Sequence, residues 1–325
     1  MAELLLLDAL PRQALGRARV FQEHTDLLAE SDEWLLSRFR LPLHVLLQIC
    51  TVLEPQLARQ TKRSNPIPPH LQILTSLGFL ATGTFQREMG DGSGVSQSSV
   101  SLALPLVIKF LLKLTPRYIT FPNTAAEQIQ IKTDFHAIAG LPNTIGAIDC
   151  THIRIKAPSP DAFPFLNRKQ YHSINVQIIS DSKYKLLNVV ARWQEERTTH
   201  LCCKTAQVAY VLRKVRMEMA GDRGYALASW LMTPLTIPQT RQECLYNQLH
   251  TRTRAVVERT IGVLKARWMC LDTAGGKLLY TSEKACQIIL ACCILHNIAV
   301  KEGVPFPDPA PAEEMPQDPP HGPHQ

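Results

Sequence analysis

The sequence predicts an α/β fold: a strand-rich region followed by two long helices, preceded by an all-helical region with a helix-turn-helix-like hairpin. Three observations carry that prediction. Residues 1 to about 125 read as helical, residues from 126 onward open with runs of β-branched residues, and strong helical patterns follow at roughly 251–270 and 281–301. Strands first and helices afterwards, with a crossover between, describe a sheet layered by helices.

The elements follow in order. SDEWLLSRF opens with a serine N-cap and an acidic first turn. LPLHVLLQICTVL follows, with Pro42 at the start of a second helix, where proline's fixed φ is tolerated. Pro66, Pro68 and Pro69 break the chain before HLQILTSLGFLATG. Next comes FQREMGDGSGVSQSSVSLALPLVIKFLLKL, a helix, a turn holding Gly90, Gly92 and Gly94, and a second helix capped by Ser96. That order, near residues 70–115, matches a helix-turn-helix and equally a plain helical hairpin capping the next region. TIGAIDCTHIRIK reads as a strand, and SINVQIISDSKYKLLNVVARW as two strands joined by a polar turn at 180–183. Residues 302–325 form an acidic, Pro-rich tail expected to be disordered.

Composition narrows the class. A chain of 325 residues holds two folded units, or one large unit with an appendage, and its 45% hydrophobic content suffices for a core. No unbroken run of 18 apolar residues occurs, and the leucines of MAELLLLDAL lack a small-residue cleavage pattern, so neither a membrane partner nor a secretory signal is expected. The nine cysteines include the adjacent pairs Cys202–Cys203 and Cys292–Cys293 and no CxxC, which argues against a zinc ribbon and suits a reducing compartment. Net charge is +7, yet the tail carries five acids and no Lys or Arg, leaving +12 on the remainder. That excess suits a polyanionic partner such as DNA, because neutralised phosphates release counterions.

Three carboxylates stand out. Asp149 lies in the strand IGAIDCTHI, where an unpaired carboxylate would cost several kcal/mol; it is either a metal ligand or a residue on the polar face of a half-buried strand. Asp222 sits in AGDRGY, flanked by glycines, as a ligand or a turn aspartate. Glu258 lies on the helix spanning 251–269, one turn after Arg254 and one turn before Gly262. It is either a ligand, with Gly262 leaving room for a phosphate backbone beside Arg252, Arg254, Arg259, Lys265 and Arg267, or half of an ordinary helical ion pair. Mg²⁺ is a hard ion that prefers such oxygen donors. His152, His172, His200 and His296 form no ligand pattern and are expected to be structural or DNA-facing. Asp181 is expected to bond locally in a hairpin turn, and Tyr225, Trp230 and Trp268 to be core residues. Asp149 and Asp222 are 73 positions apart, and Glu258 follows after another 36. Two aspartates, then a glutamate on a helix after such an interval, is the DDE layout of cut-and-paste transposases.

Several long segments, in order, resemble the Harbinger transposase-derived nucleases. They are GFLATGTFQREMGDGSGVSQSSVS, IGAIDCTHIRIKAPSPDAFPFLNRKQYHSINVQ, GDRGYALASWLMTPL, YNQLHTRTRAVVERTIGVLKARWMCLD and EKACQIILACCILHNIAV. The resemblance implies a ribonuclease-H-like DDE nuclease core over 126–301, hydrolysis of DNA phosphodiesters without transposition, and a divalent metal cofactor, Mg²⁺ or Mn²⁺. It places Asp149, Asp222 and Glu258 on the family's catalytic, metal-binding positions. It also implies a Myb-like nuclear DNA-binding partner and residence in nucleus and cytoplasm. The competing function is a catalytically inactive DNA- or protein-binding remnant.

The match breaks after Trp193. The family shows Pro-Gly, a spacer and a further metal-binding Asp there, whereas this chain reads QEERTTHLC, with Thr199 at the expected acid position. Codons for QEERTTHLC are compatible with a shifted frame reading Gly-Arg-Thr-His-Asp-Ser-Pro-Val, which resembles the missing motif. Residues from about 194 to 219 are therefore expected to be translated out of frame, which puts catalysis in doubt.

Overall fold

The computed structural model describes residues 26–58, 67–84, 93–157, 170–191 and 218–307, together with 88, 90 and 167. Helices lead. α1 (Asp32–Phe39) starts where Ser31 accepts a hydrogen bond from the Trp34 N–H, α2 (Leu43–Leu57) follows Pro42, and α3 (Pro69–Thr82) has Pro69 at its first position. α4 (Gln97–Leu112) is capped by the Ser96 hydroxyl. The segment between α3 and α4, where the first half of the helix-turn-helix pattern was expected, lies largely outside the described residues. α3 itself is buried from Leu71 to Ala81 and packs on α4, α1 and α2. After the short α5 (Thr115–Tyr118), α6 (Ala125–Ala139) leads into the sheet.

The sheet comprises β1 (Thr144–Arg154), β2 (Ser173–Ser180), β3 (Leu186–Ala191), β4 (Glu218–Ala220) and β5 (Leu231–Met232) in the spatial order β3-β2-β1-β4-β5. β1, β2 and β3 are antiparallel neighbours, whereas β4 runs parallel to β1 and β5 parallel to β4. One face carries Ala147, Ile153, Val176 and Ile178 in the main core, which also holds side chains of α7 (Arg241–Arg267) and α8 (Ser282–Lys301). Ile145, Ile148, Ile179, Leu187, Met219 and Leu231 gather in a second, smaller cluster. The main core continues from Leu35 in α1 to Val304, so the helical and sheet regions share apolar side chains.

Two helices depart from the sequence expectation. α6 has no counterpart there, although Thr124 and Glu127 form a reciprocal capping box. α7 begins at Arg241, about ten residues earlier than expected, because Thr240 and Glu243 form a second capping box. Its long polar first half hides the helical period from an apolar pattern. α8 is long and apolar enough to cross a membrane by length and composition, which a search for unbroken apolar runs passes over. Within the fold, 67% of its most apolar window is buried, as expected of a core helix. Val304 of the expected tail is buried, and the Arg267 guanidinium donates to the carbonyls of Val304 and Pro305. The tail is thus held at its base; residues 308–325 lie outside the described set.

α8 is pinned by polar side chains. His296, fully buried, pairs through Nε2 with the Tyr184 carbonyl at 2.8 Å. Asn297 accepts from the Leu186 N–H at 2.8 Å and donates to the carbonyls of Leu186 and Tyr118 at 2.7 and 2.9 Å. They hold the β2–β3 turn, where Asp181 accepts from the N–H groups of Lys183 and Lys185. His296 is therefore a structural residue, and Asp181 is the turn-former the sequence suggested.

Burial pushes the His296 imidazole down to about 4, with Arg267 adding to the effect. A histidine whose folded pKa is depressed binds its proton more readily when unfolded. Its contribution to stability is intact above about pH 6.5 and is lost as pH falls toward 4, worth about 3 kcal/mol across that window. Urea midpoints for His296→Gln should fall less between pH 7 and pH 4.5 than those of the parent chain.

Candidate functional site: an acidic pair bridged by arginine

Sheet register brings the two aspartates side by side. Ala147 on β1 pairs with Ala220 on β4, and Asp149 and Asp222 each stand two residues further along. Neighbouring strands are about 4.8 Å apart, so the parallel pairing brings the turn that holds Asp222, just beyond β4, alongside Asp149 in β1. The turn after β4 is shaped around Asp222: the Gly224 N–H donates to Asp222 Oδ1 at 2.9 Å. A Cβ on Gly224 would sit 3.1 Å from that same oxygen, tighter than a side chain there can easily accept. Tyr225 closes the loop. Its hydroxyl lies 3.1 Å from Cys150 Sγ and accepts from Gln177 Nε2, also at 3.1 Å. It thereby ties the Asp222 turn to β1 and β2.

α7 supplies the third carboxylate. Its buried stripe includes Thr253, Val256, Val257, Thr260, Val263 and Leu264, and it packs on β1 and β2. The opposite edge of that contact carries Arg254, whose guanidinium donates to Asp149 Oδ2 at 3.2 Å and to Glu258 Oε1 at 2.5 Å. The helical Arg–Glu pair is thus present, and the same arginine also reaches a strand residue 105 positions away.

Burial of the Asp149 side chain, only 17% exposed, raises its pKa above the ordinary carboxylate value. The Cys150 N–H, donating to Oδ1 at 2.7 Å, and Arg254 pull it back down, while the negative charges of Asp222 and Glu258 push it up. Asp149 therefore feels both of the other predicted carboxylates. They do not close into a ready cage: among the described residues, no three His, Cys, Asp or Glu side chains converge tightly enough to hold a metal ion. The donor type fits a hard divalent cation, since the site offers carboxylate oxygens in negative excess. The space between Asp149 and Glu258, however, is bridged by a guanidinium.

The cations expected along α7 have different fates. Arg267 is 1% exposed and holds the chain at 304–305, so it belongs to the interior and cannot meet a ligand. Arg259 is exposed, with its guanidinium 5.6 Å from the Tyr184 ring centre, and Arg252 is also exposed. Lys265 donates to the His152 carbonyl at 3.4 Å. His152 itself bonds Ser173 through Nδ1. Trp230 and Trp268 are core residues, as anticipated. The reach of Arg254 to Asp149 and the Tyr225 tether were missed from sequence; both join residues from distant segments, and nothing local marks either one. His200 and Thr199 lie outside the described residues, as does most of 194–219.

Comparison with known proteins places this geometry. Residues 148–297, which span all three carboxylates, match the DDE superfamily endonuclease model. The chain is 37% identical over 294 residues to a Mus musculus protein named "Putative nuclease HARBI1", covering 88% of this chain and 84% of that one. It is 36% identical to the Homo sapiens protein of the same name over 297 residues, 89% and 84% of the two chains. Protein ALP1-like of Arabidopsis thaliana is 26% identical over 259 residues, 73% of this chain and 62% of that protein. No solved structure matches. With such identity across most of both chains, this protein belongs to the Harbinger transposase-derived DDE nuclease family.

Proposed function

We propose that the chain is a divalent-metal-dependent nuclease that hydrolyses DNA phosphodiesters and lacks transposition activity. The observation that carries this is the nearness of Asp222 and Glu258 to Asp149: both act on its charge, and Arg254 joins Asp149 to Glu258. The strand order β3-β2-β1-β4-β5, with three antiparallel strands and two parallel additions, supports a ribonuclease-H-like core. The helices before it support an all-α N-terminal region.

Asp149, Asp222 and Glu258 would hold one or two Mg²⁺ or Mn²⁺ ions. Such ions, when bound, activate a water for attack at phosphorus and stabilise the leaving oxygen. The protein's own part is positional. β1 fixes Asp149 on a rigid element, Tyr225 holds the Asp222 turn against the sheet, and Arg254 balances the charges of Asp149 and Glu258.

The same arginine supports the second reading, a catalytically inactive DNA- or protein-binding remnant. A guanidinium settled between two carboxylates already satisfies them, and Thr199 stands where the family has a further acid. Cleavage separates the two. The purified chain should nick supercoiled plasmid only with Mg²⁺ or Mn²⁺ present, and Asp149→Asn should abolish nicking while leaving DNA binding intact. Binding without nicking by the parent chain at any divalent concentration would decide for the remnant.

Arg254→Gln isolates the charge balance. Removing the guanidinium leaves Asp149 part-buried among like charges, raising its folded pKa further. A carboxyl raised on folding destabilises above that pKa, and the penalty fades as pH falls through it. The variant should lose about 1–3 kcal/mol at pH 7, lose less at pH 5, and gain more in Tm from added Mg²⁺ than the parent does. Thermal unfolding with and without Mg²⁺ checks all three outcomes.

A further inference from the structure

α7 presents Arg254, Glu258, Gly262 and Lys265 within an arc of roughly 80° and over about 16 Å of its length. Both ends of this stripe touch β1: Arg254 at Asp149 and Lys265 at the His152 carbonyl. Gly262 lies between, exposed. Glycine is the least favoured residue of a helix interior apart from proline, because it gives up the most backbone freedom. Elsewhere at this site glycine has a steric reason. A Cβ on Gly221 would sit 3.0 Å from Leu231 Cδ1 and 3.1 Å from Ile148 Cγ2. At Gly262 an added Cβ would meet no described heavy atom within 4 Å, and the helix passes through the position regularly. Neither packing nor conformation within the described protein calls for glycine there.

Space left open among the described residues, with a lysine one turn further on to offset the neighbouring carboxylates, suits one kind of ligand: a bulky backbone bearing negative charge. We propose that Gly262 and Lys265 form a seat for the sugar–phosphate backbone of duplex DNA, Gly262 giving the strand close approach and Lys265 neutralising one phosphate. Gly262 lies about 6 Å along the helix axis from Glu258, on the order of two nucleotide steps at about 3.4 Å each. The seat would therefore grip the strand next to the bond that the acidic centre addresses. Lys265 is half-buried, which lowers its pKa, with Asp272 acting the other way; among the described residues it makes no ion pair. This seat rests on the nuclease reading for its location, but it makes a separate claim, about binding.

The test is equilibrium binding of the full chain to a labelled mixed-sequence duplex in EDTA, across a salt series, with Tm recorded for each variant. Gly262→Gln should raise or preserve Tm, since glutamine suits a helix interior better than glycine, and should weaken binding about tenfold. Lys265→Gln should reduce the salt slope by about one, the signature of a single lost phosphate contact. Gly262→Ala, with its small side chain, should fold as well as the parent and bind at intermediate strength. Parent-like affinity in a folded Gly262→Gln chain would overturn the proposal, as would no DNA binding by the parent. Should Lys265→Gln fail to fold, the Gly262 pair decides alone. A chain that binds through this seat yet never nicks plasmid would refute the nuclease reading and keep the seat; one that nicks, with Gly262→Gln binding normally, would do the reverse.

Discussion

Asp149 stands on the central strand of the sheet with its side chain 17% exposed, and a carboxylate so placed needs a cation in hydrogen-bonding reach. Desolvation raises its pKa, and two further carboxylates push the same way. Arg254 answers both demands through one planar, five-donor fork, contacting Asp149 with one nitrogen and Glu258 with the other. Lysine, a single charged point on a flexible stem, could not span the pair in the same way. The rest of the site is arranged so that this bridge is possible: α7 must lie on β1 in one rotation, and its stripe of valines, threonines and leucine fixes that rotation.

The same helix does a second job at its far end. Arg267 falls on the buried face, and its charge is met by two backbone carbonyls and the Phe306 ring in place of a carboxylate. Nearby, His296 and Asn297 on α8 hold the β2–β3 turn through main-chain groups. Polar side chains that look like ligand candidates in a sequence are here used to satisfy buried peptide groups, which cost more when left unpaired than a typical hydrogen bond returns. This explains why histidine and asparagine in the last helix lie far from any catalytic role.

Much of the secondary structure was legible. Ser31 and Ser96 as caps, Pro42 at a helix start, and the β-branched runs of β1, β2 and β3 are local signals, and the chain obeys them. α6 and the first half of α7 were overlooked because their signals are capping boxes and polar helix formers; apolar periodicity is weak there. The sequence singled out Asp149, Asp222 and Glu258 by residue type and spacing, and family resemblance assigned them metal-binding positions. Their mutual influence belongs to the tertiary structure, as does the presence of Arg254 between two of them. The expectation that Arg267 adds surface charge failed for a related reason: helix phase, read without the partner surface, does not say which flank of a stripe is covered.

Taken alone, the sequence determined the family, the order of helices and strands, and the three acids worth attention, because these depend on residue identity and on neighbours a few positions away. The tertiary structure decided which charges meet. Parallel pairing of β1 with β4 set Asp222 beside Asp149, and the packing of α7 turned Arg254 and Glu258 toward them while turning Arg267 away. Contacts between residues 105 positions apart depend on the summed packing of whole elements, and no local pattern encodes that sum.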